Sequence, residues 1–168
     1  MSLMLATSTV SNLYMGGKIV AGFLERDLIL KSTSMTTGKI INLLSGFIYG
    51  GEKHVEDTIM RLDIRHKLEV IESYLKTMPD KISRSKRRHS SNAMLIQDNN
   101  TLLIAMQGVS EMIDRIHVCL DNIQRKIIEH NDKYVSWLYG ANVMGELSNL
   151  ERCVHNLDNR FKLFMAIK

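Results

Sequence analysis

Apolar side chains recur every three or four residues through one long stretch: Leu102, Met106, Val109, Ile113, Ile116, Leu120, Ile123, Ile127, His130, Tyr134 and Trp137. The gaps alternate four and three without a slip, and His130 is the one member that is not apolar. A strand repeats every two residues and a loop has no period. A sustained 3.5-residue repeat therefore specifies a long helix that buries one narrow seam against other helices. The pattern restarts as Val143, Leu147, Leu150, Val154, Leu157, Phe161 and Phe164. Residues 99–167 thus read as a helical hairpin whose arms run antiparallel.

The rest of the chain is consistent with an all-α fold. Pro79 is the only proline in 168 residues, and proline is what most often ends or kinks a helix. A helix is expected over 8–30 and a second over 36–49, joined by Ser32-Thr33-Ser34-Met35-Thr36-Thr37, whose hydroxyls are helix N-caps by type. The second carries Ile40, Ile41, Leu43, Leu44, Phe47 and Ile48 over a wide arc, which predicts deep burial. Gly50-Gly51 is expected to end it. A long helix follows over 52–78, with Val55, Ile59 and Leu62 on one stripe. Met60, Ile64, Leu68, Ile71, Leu75 and Met78 lie on a phase-shifted one. The shift predicts a bend or a change of neighbour. Pro79 should stop this helix, and residues 80–97 read as a basic linker. Asp98, Asn99, Asn100 and Thr101 are candidate caps for the long helix, which should run to Tyr139 and stop at Gly140, with Asn142 capping the last helix. Three acid–base pairs lie one turn apart on the long helix: Glu111–Arg115, Asp121–Arg125 and Glu129–Lys133. The expected architecture is a single-domain antiparallel bundle of four to five helices with a long C-terminal hairpin.

Composition narrows the classes of function. Net charge is +4, and Lys81, Arg84, Lys86, Arg87 and Arg88 account for all of that excess. What remains is close to neutral and lacks the broad basic face of a duplex-DNA binder. The basic segment 81–89 has several readings. It suits contact with nucleic-acid phosphates or acidic lipid heads, or a nuclear-import address. Ser90, following Arg87-Arg88-His89, suits a basic-directed kinase. The plain alternative is a solvated connector. The segment has no aromatic residue on which a base would stack.

No apolar run reaches the ~18 residues of a spanning helix, and the N-terminus lacks the positive region of a secretory signal. These features and the two cysteines, Cys119 and Cys153, predict an intracellular, cytoplasmic protein with reduced thiols. Antiparallel packing of the last two helices would nevertheless bring those thiols near one another. Residues 35–49 would suit a helix lying in a bilayer surface, but a buried bundle helix has the same pattern, and burial is the preferred reading. The eleven methionines are expected mainly as core filler, although methionine also serves adaptable binding surfaces.

Signatures of catalysis are missing. A di-metal carboxylate bundle needs a Glu on each of two helices and Glu-x-x-His on two others, whereas Asp63/His66 is the nearest match here. Glu151/His155 falls beside the seam. His130 on the seam reads as a histidine satisfied by a neighbour, with a pH-sensitive or ligating role as the alternative. No Gly-x-Ser-x-Gly occurs, and neither Gly16-Gly17 nor Gly50-Gly51 has the spacing of a phosphate loop. No enzyme activity, metal or cofactor is expected.

The stretch Val55 to Glu72 resembles small helical proteins of large DNA viruses, most of them uncharacterised. Ile127-Ile128-Glu129-His130-Asn131-Asp132-Lys133-Tyr134-Val135-Ser136-Trp137 and Leu157-Asp158-Asn159-Arg160-Phe161 add to the resemblance. Together they cover about a third of the chain, and the resemblance implies an accessory or virion-associated role. The expected function is a non-enzymatic interaction or structural protein that presents helix surfaces to a protein partner or to itself. The alternatives are a membrane-active bundle whose N-terminal third meets lipid, and a phosphate or nucleic-acid binder using residues 81–89.

Overall fold

The computed structural model describes the backbone of residues 4–50, 53–85, 92–132 and 141–167, and the side chains of 24–47, 53–77, 100–132 and 141–167. The fold is all-α, with no strand among the described residues. Its helices are α1 (Met4–Gly50), α2 (Lys53–Leu62), α3 (Ile64–Ser85), α4 (Asn92–Asn131) and α5 (Met144–Ala166).

Met4–Gly50 form one helix of 47 residues, not the two expected over 8–30 and 36–49. The hydroxyls of the supposed cap segment reach other helices instead of a helix end. Thr33 Oγ1 donates to Ser110 Oγ at 3.0 Å, Ser34 Oγ to Glu72 Oε1 at 2.6 Å, and Thr36 Oγ1 to Asp114 Oδ1 at 2.9 Å. With its hydroxyls engaged across the bundle, the Ser/Thr run no longer competes with the local backbone, and the helix continues.

The phase shift in the second apolar stripe corresponds to a true break. Asp63 separates α2 from α3 and takes a left-handed backbone with φ 48°. Its N–H donates to the Met60 carbonyl at 3.2 Å, and its own carbonyl accepts from Lys67 N–H at 3.2 Å, so the chain re-enters helix at once. Pro79 does not stop α3, which continues to Ser85. A proline deletes one helical hydrogen bond and crowds the preceding turn, but it does not oblige the chain to leave the helix. Residues 80–85 and 92–97, expected as linker, are helical for a related reason. Missing apolar residues report missing burial, and Lys, Arg and Gln are good helix formers. At the other end α4 closes at Asn131, and the expected continuation to Tyr139, with Tyr134 and Trp137, lies outside the described residues. Asn142 does not cap α5. Val143 holds that position, without a side-chain cap, and its carbonyl accepts from Leu147 N–H at 2.9 Å.

The core forms around α4. Met106, Val109, Met112, Ile113, Ile116, Leu120, Ile123 and Ile127 are buried, while Leu102, one turn nearer the start, is half-buried. From α5 come Leu147, Leu150, Val154, Leu157 and Phe164, with Phe161 half-buried. Helix α3 contributes Ile64, Leu68, Ile71 and Leu75, α2 contributes Val55 and Ile59, and α1 contributes Ile40, Leu44 and Phe47. At one end Tyr74 meets Phe161 and Phe164 edge-on, with ring centroids 5.7 and 5.8 Å apart. Such edge-to-face pairs add about 0.5–1.5 kcal/mol beyond buried area.

Polar contacts across the helices record their register. Between α4 and α5, Glu111 pairs with Arg160 at 3.2 Å and Lys126 with Glu146 at 2.5 Å, so partners fall along α5 as they rise along α4. Between the α2–α3 arm and α5 they rise together: His54 with Met144, Arg61 with Glu151, Lys67 with Asp158. Glu111 thus reaches Arg160 on α5, and not Arg115 on its own helix.

Leu120 is fully buried at the middle of the α4 seam. Leu120→Ala is expected to lower unfolding stability by about 2–5 kcal/mol, the range for a truncated core leucine. Denaturant titration measures this, and a loss below about 1 kcal/mol would show that the seam is not the core.

Candidate functional site

Helix α1 has two faces of opposite character. Its inner seam reads Arg26, Thr33, Thr37, Ile40, Leu44 and Phe47, all buried and spaced at helical intervals. The lower half is aliphatic and aromatic, as expected for residues 36–49, although Ile41 and Leu43 are only half-buried. The upper half is polar. Thr33 meets Ser110 of α4 within the core. Thr37 Oγ1 and the Nε and Nη2 atoms of Arg26 have no hydrogen-bond partner among the described residues. Burial lowers the Arg26 pKa by disfavouring its charge, and the neighbouring Asp27 carboxylate acts the other way.

The outer face carries exposed apolar residues. Leu24, Leu28 and Met35 are 62%, 68% and 59% exposed. They lie four and seven residues apart, on one stripe directed away from Thr33 and Ile40. Lys31 and Lys39 share the stripe and are also exposed. Methionine follows a similar division. Met106 and Met112 are core residues, whereas Met35, Met60, Met144 and Met165 are exposed, so core filling does not account for most of the described methionines.

The α4–α5 seam brings the two cysteines together. Cys119 and Cys153 are free, half-buried and 4.0 Å apart at sulfur. Burial, reinforced by the adjacent Cys153, pushes the Cys119 thiol up to about 11. At neutral pH it is protonated and a poor nucleophile. Two turns away, Arg160 reaches the Gly108 carbonyl at 3.1 Å as well as Glu111. A Cβ at Gly108 would lie 3.0 Å from Arg160 Nη1, a tight contact that the flexible end of the arginine could relieve by a small shift.

Other residues singled out above are dispersed. Glu151 pairs with Arg61, and His155 is exposed. Asp63 sits at the α2–α3 break, and His66 is exposed on α3. His66 helps line an open groove with Glu69, Val70, Ser73, Tyr74 and Thr77, all from α3. His130 is half-buried near the end of α4. Lys81 and Arg84 fall within the backbone of α3, with side chains outside the described residues, and Lys86, Arg87, Arg88 and Ser90 lie outside them altogether. Among the described residues no group of three or more His, Cys, Asp or Glu is placed to hold a metal ion, and no helix is long and apolar enough to cross a membrane.

The outer α1 stripe carries no sequence signal of its own, because apolar residues at helical spacing read alike whether they face a core or solvent. No known family model, curated protein or solved structure matches this chain.

Two expectations follow from the polar contacts of α1. Thr33→Val or Ser110→Ala alone strands a buried hydroxyl and should cost about 1–3 kcal/mol, while the double variant should recover part of that loss. A double-mutant cycle by denaturant unfolding measures the coupling, and strict additivity would show that the bond contributes nothing. The Glu72 carboxyl is held below its usual range by the Ser34 hydroxyl, then by Lys76 at 2.9 Å. A depressed carboxylate stabilises fully above its unfolded pKa, about 4.3, and loses that contribution as pH falls through the lower folded value. Wild type should therefore exceed Glu72→Gln in stability at neutral pH, with the gap closing in acid. A gap independent of pH would refute the assignment.

Proposed function

We propose that this protein is a non-enzymatic interaction or structural part that presents helix surfaces to a protein partner, a second copy of itself included. The observation that carries this reading is the outer stripe of α1, where Leu24, Leu28 and Met35 stand in solvent although the same helix has a separate, filled core seam. Such side chains contribute little to the isolated fold. Each gains roughly 1.5–3 kcal/mol when fully covered, so a partner helix laid along the stripe recovers what the monomer leaves unused. Lys31 and Lys39 on the same stripe favour a partner carrying carboxylates and set its register more than its affinity. The flexible Met35 side chain suits a surface that must adapt to its partner.

The resemblance to small helical proteins of large DNA viruses supports an accessory or virion-associated setting for such a part. A lipid-bound α1 has less support. Of the apolar residues that segment 35–49 would offer to a bilayer, Ile40, Leu44 and Phe47 are buried against the other helices and Ile41 and Leu43 half-buried.

The test is sedimentation velocity over a wide concentration range, together with capture of partners from the native host. The comparison is wild type against the Leu24→Glu/Leu28→Glu variant. Wild type is expected to self-associate or to hold a discrete protein partner. The variant should lose that association while keeping its helical spectrum and thermal midpoint. A strictly monomeric wild type whose captured proteins are all retained by the variant would refute the reading.

A further inference from the structure

We propose that Cys119 and Cys153 form a redox modification site, in which a small-molecule disulfide oxidant closes an intramolecular bond between α4 and α5. The geometry points to it. The sulfurs lie 4.0 Å apart, at van der Waals contact, on neighbouring helices. Polar contacts hold the register on both sides: Lys126 with Glu146 toward one end, and Arg160 with Gly108 and Glu111 toward the other. The Lys126–Glu146 and Arg160–Glu111 pairs each lie about two turns from the cysteines, and the Gly108 carbonyl about three, so the thiols are held opposite one another against sliding. Both side chains are half-buried, which leaves them within reach of a small oxidant.

The chemistry balances with oxidised glutathione as co-reactant. One cysteine, as thiolate, attacks a glutathione sulfur, forming a mixed disulfide and releasing one reduced glutathione. The second cysteine loses its proton and attacks the protein-side sulfur of that mixed disulfide, expelling the second reduced glutathione. The two protein thiols give up two electrons and two protons, and one glutathione disulfide becomes two thiols. Burial keeps the Cys119 thiol protonated at neutral pH, so the step in which Cys119 is the nucleophile is slow. The site is therefore a slow, reversible clamp. It does not depend on the outer face of α1.

The experiment uses the full chain, incubated for hours with oxidised glutathione and then digested with trypsin without reductant. The expected product is the peptide Ile116–Arg125 joined to Cys153–Arg160, with the loss of two hydrogens, from protein that migrates as a monomer on a non-reducing gel. A thiol reductant should reverse it. Closing a loop of 34 residues should raise the melting midpoint by roughly 5–10 °C. Cys119→Ser and Cys153→Ser, oxidised in parallel, should each lose that rise. Unreacted thiols, glutathione adducts without the joined peptide, or cysteine-linked dimers would each overturn the proposal.

Discussion

The apolar seam of α4 is the constraint on which the other helices depend. From Met106 to Ile127 it buries a residue at every turn, and its members come from one strict repeat. A helix of 40 residues, about 60 Å long, cannot remain in water with such a stripe exposed. Helices α1 and α5 both lie along it, and the α2–α3 arm packs against α1 and α5 and completes the core through Ile64, Leu68, Ile71 and Leu75. The Asp63 break belongs to this requirement. A left-handed residue lets α2 and α3 change phase, so that Val55 and Ile59 as well as the α3 stripe can face inward.

The two flanks of α4 are built on different chemistry. Against α5 the contact is an aliphatic seam bordered by ion pairs, where Arg160 reaches both the Gly108 carbonyl and the Glu111 carboxylate. Against α1 the upper contact is made of hydroxyls, and a largely desolvated arginine lies one or two turns beyond. Hydroxyl contacts give less net stabilisation than apolar ones of equal area, yet they are costly to mismatch. The α4–α5 pair is thus the tightly sealed half of the molecule. The α1 flank combines a less apolar inner seam with an outer face that still has apolar surface to bury.

How much of this was legible follows from what an apolar pattern reports. Periodicity reports burial, and where burial was apolar much of it was visible in the residues: the all-α class, Met106 to Ile127 on α4, the α5 stripe and a phase shift between the α2 and α3 stripes, although Met60 of the second stripe is exposed and Leu102 only half-buried. Where burial was polar the reading failed. Arg26, Thr33 and Thr37 occupy core positions of α1, so the true inner face looked hydrophilic. Leu24 and Leu28, apolar residues of that stretch, face solvent. The same cause explains the expected break at the Ser/Thr run, since no local signal distinguishes a hydroxyl that caps a helix from one that crosses to another. Helix ends were misplaced at Pro79, in the basic segment and at Asn142, where low hydrophobicity or a single capping residue was taken as a stop. The contact between Cys119 and Cys153 required only the antiparallel register, but their spacing in the chain does not reveal which turns meet.

The hydroxyl pair between Thr33 and Ser110 acts as a vernier on the assembly. Seams with a seven-residue repeat match nearly as well after a slide of one heptad, because every aliphatic knob finds another hole. A slide in one direction would set Thr33 against Leu103, which offers its hydroxyl no partner, and in the other against the bulkier His117 in place of Ser110. One weak bond, in the right place, thereby favours one alignment of α1 over others that oiliness alone would accept.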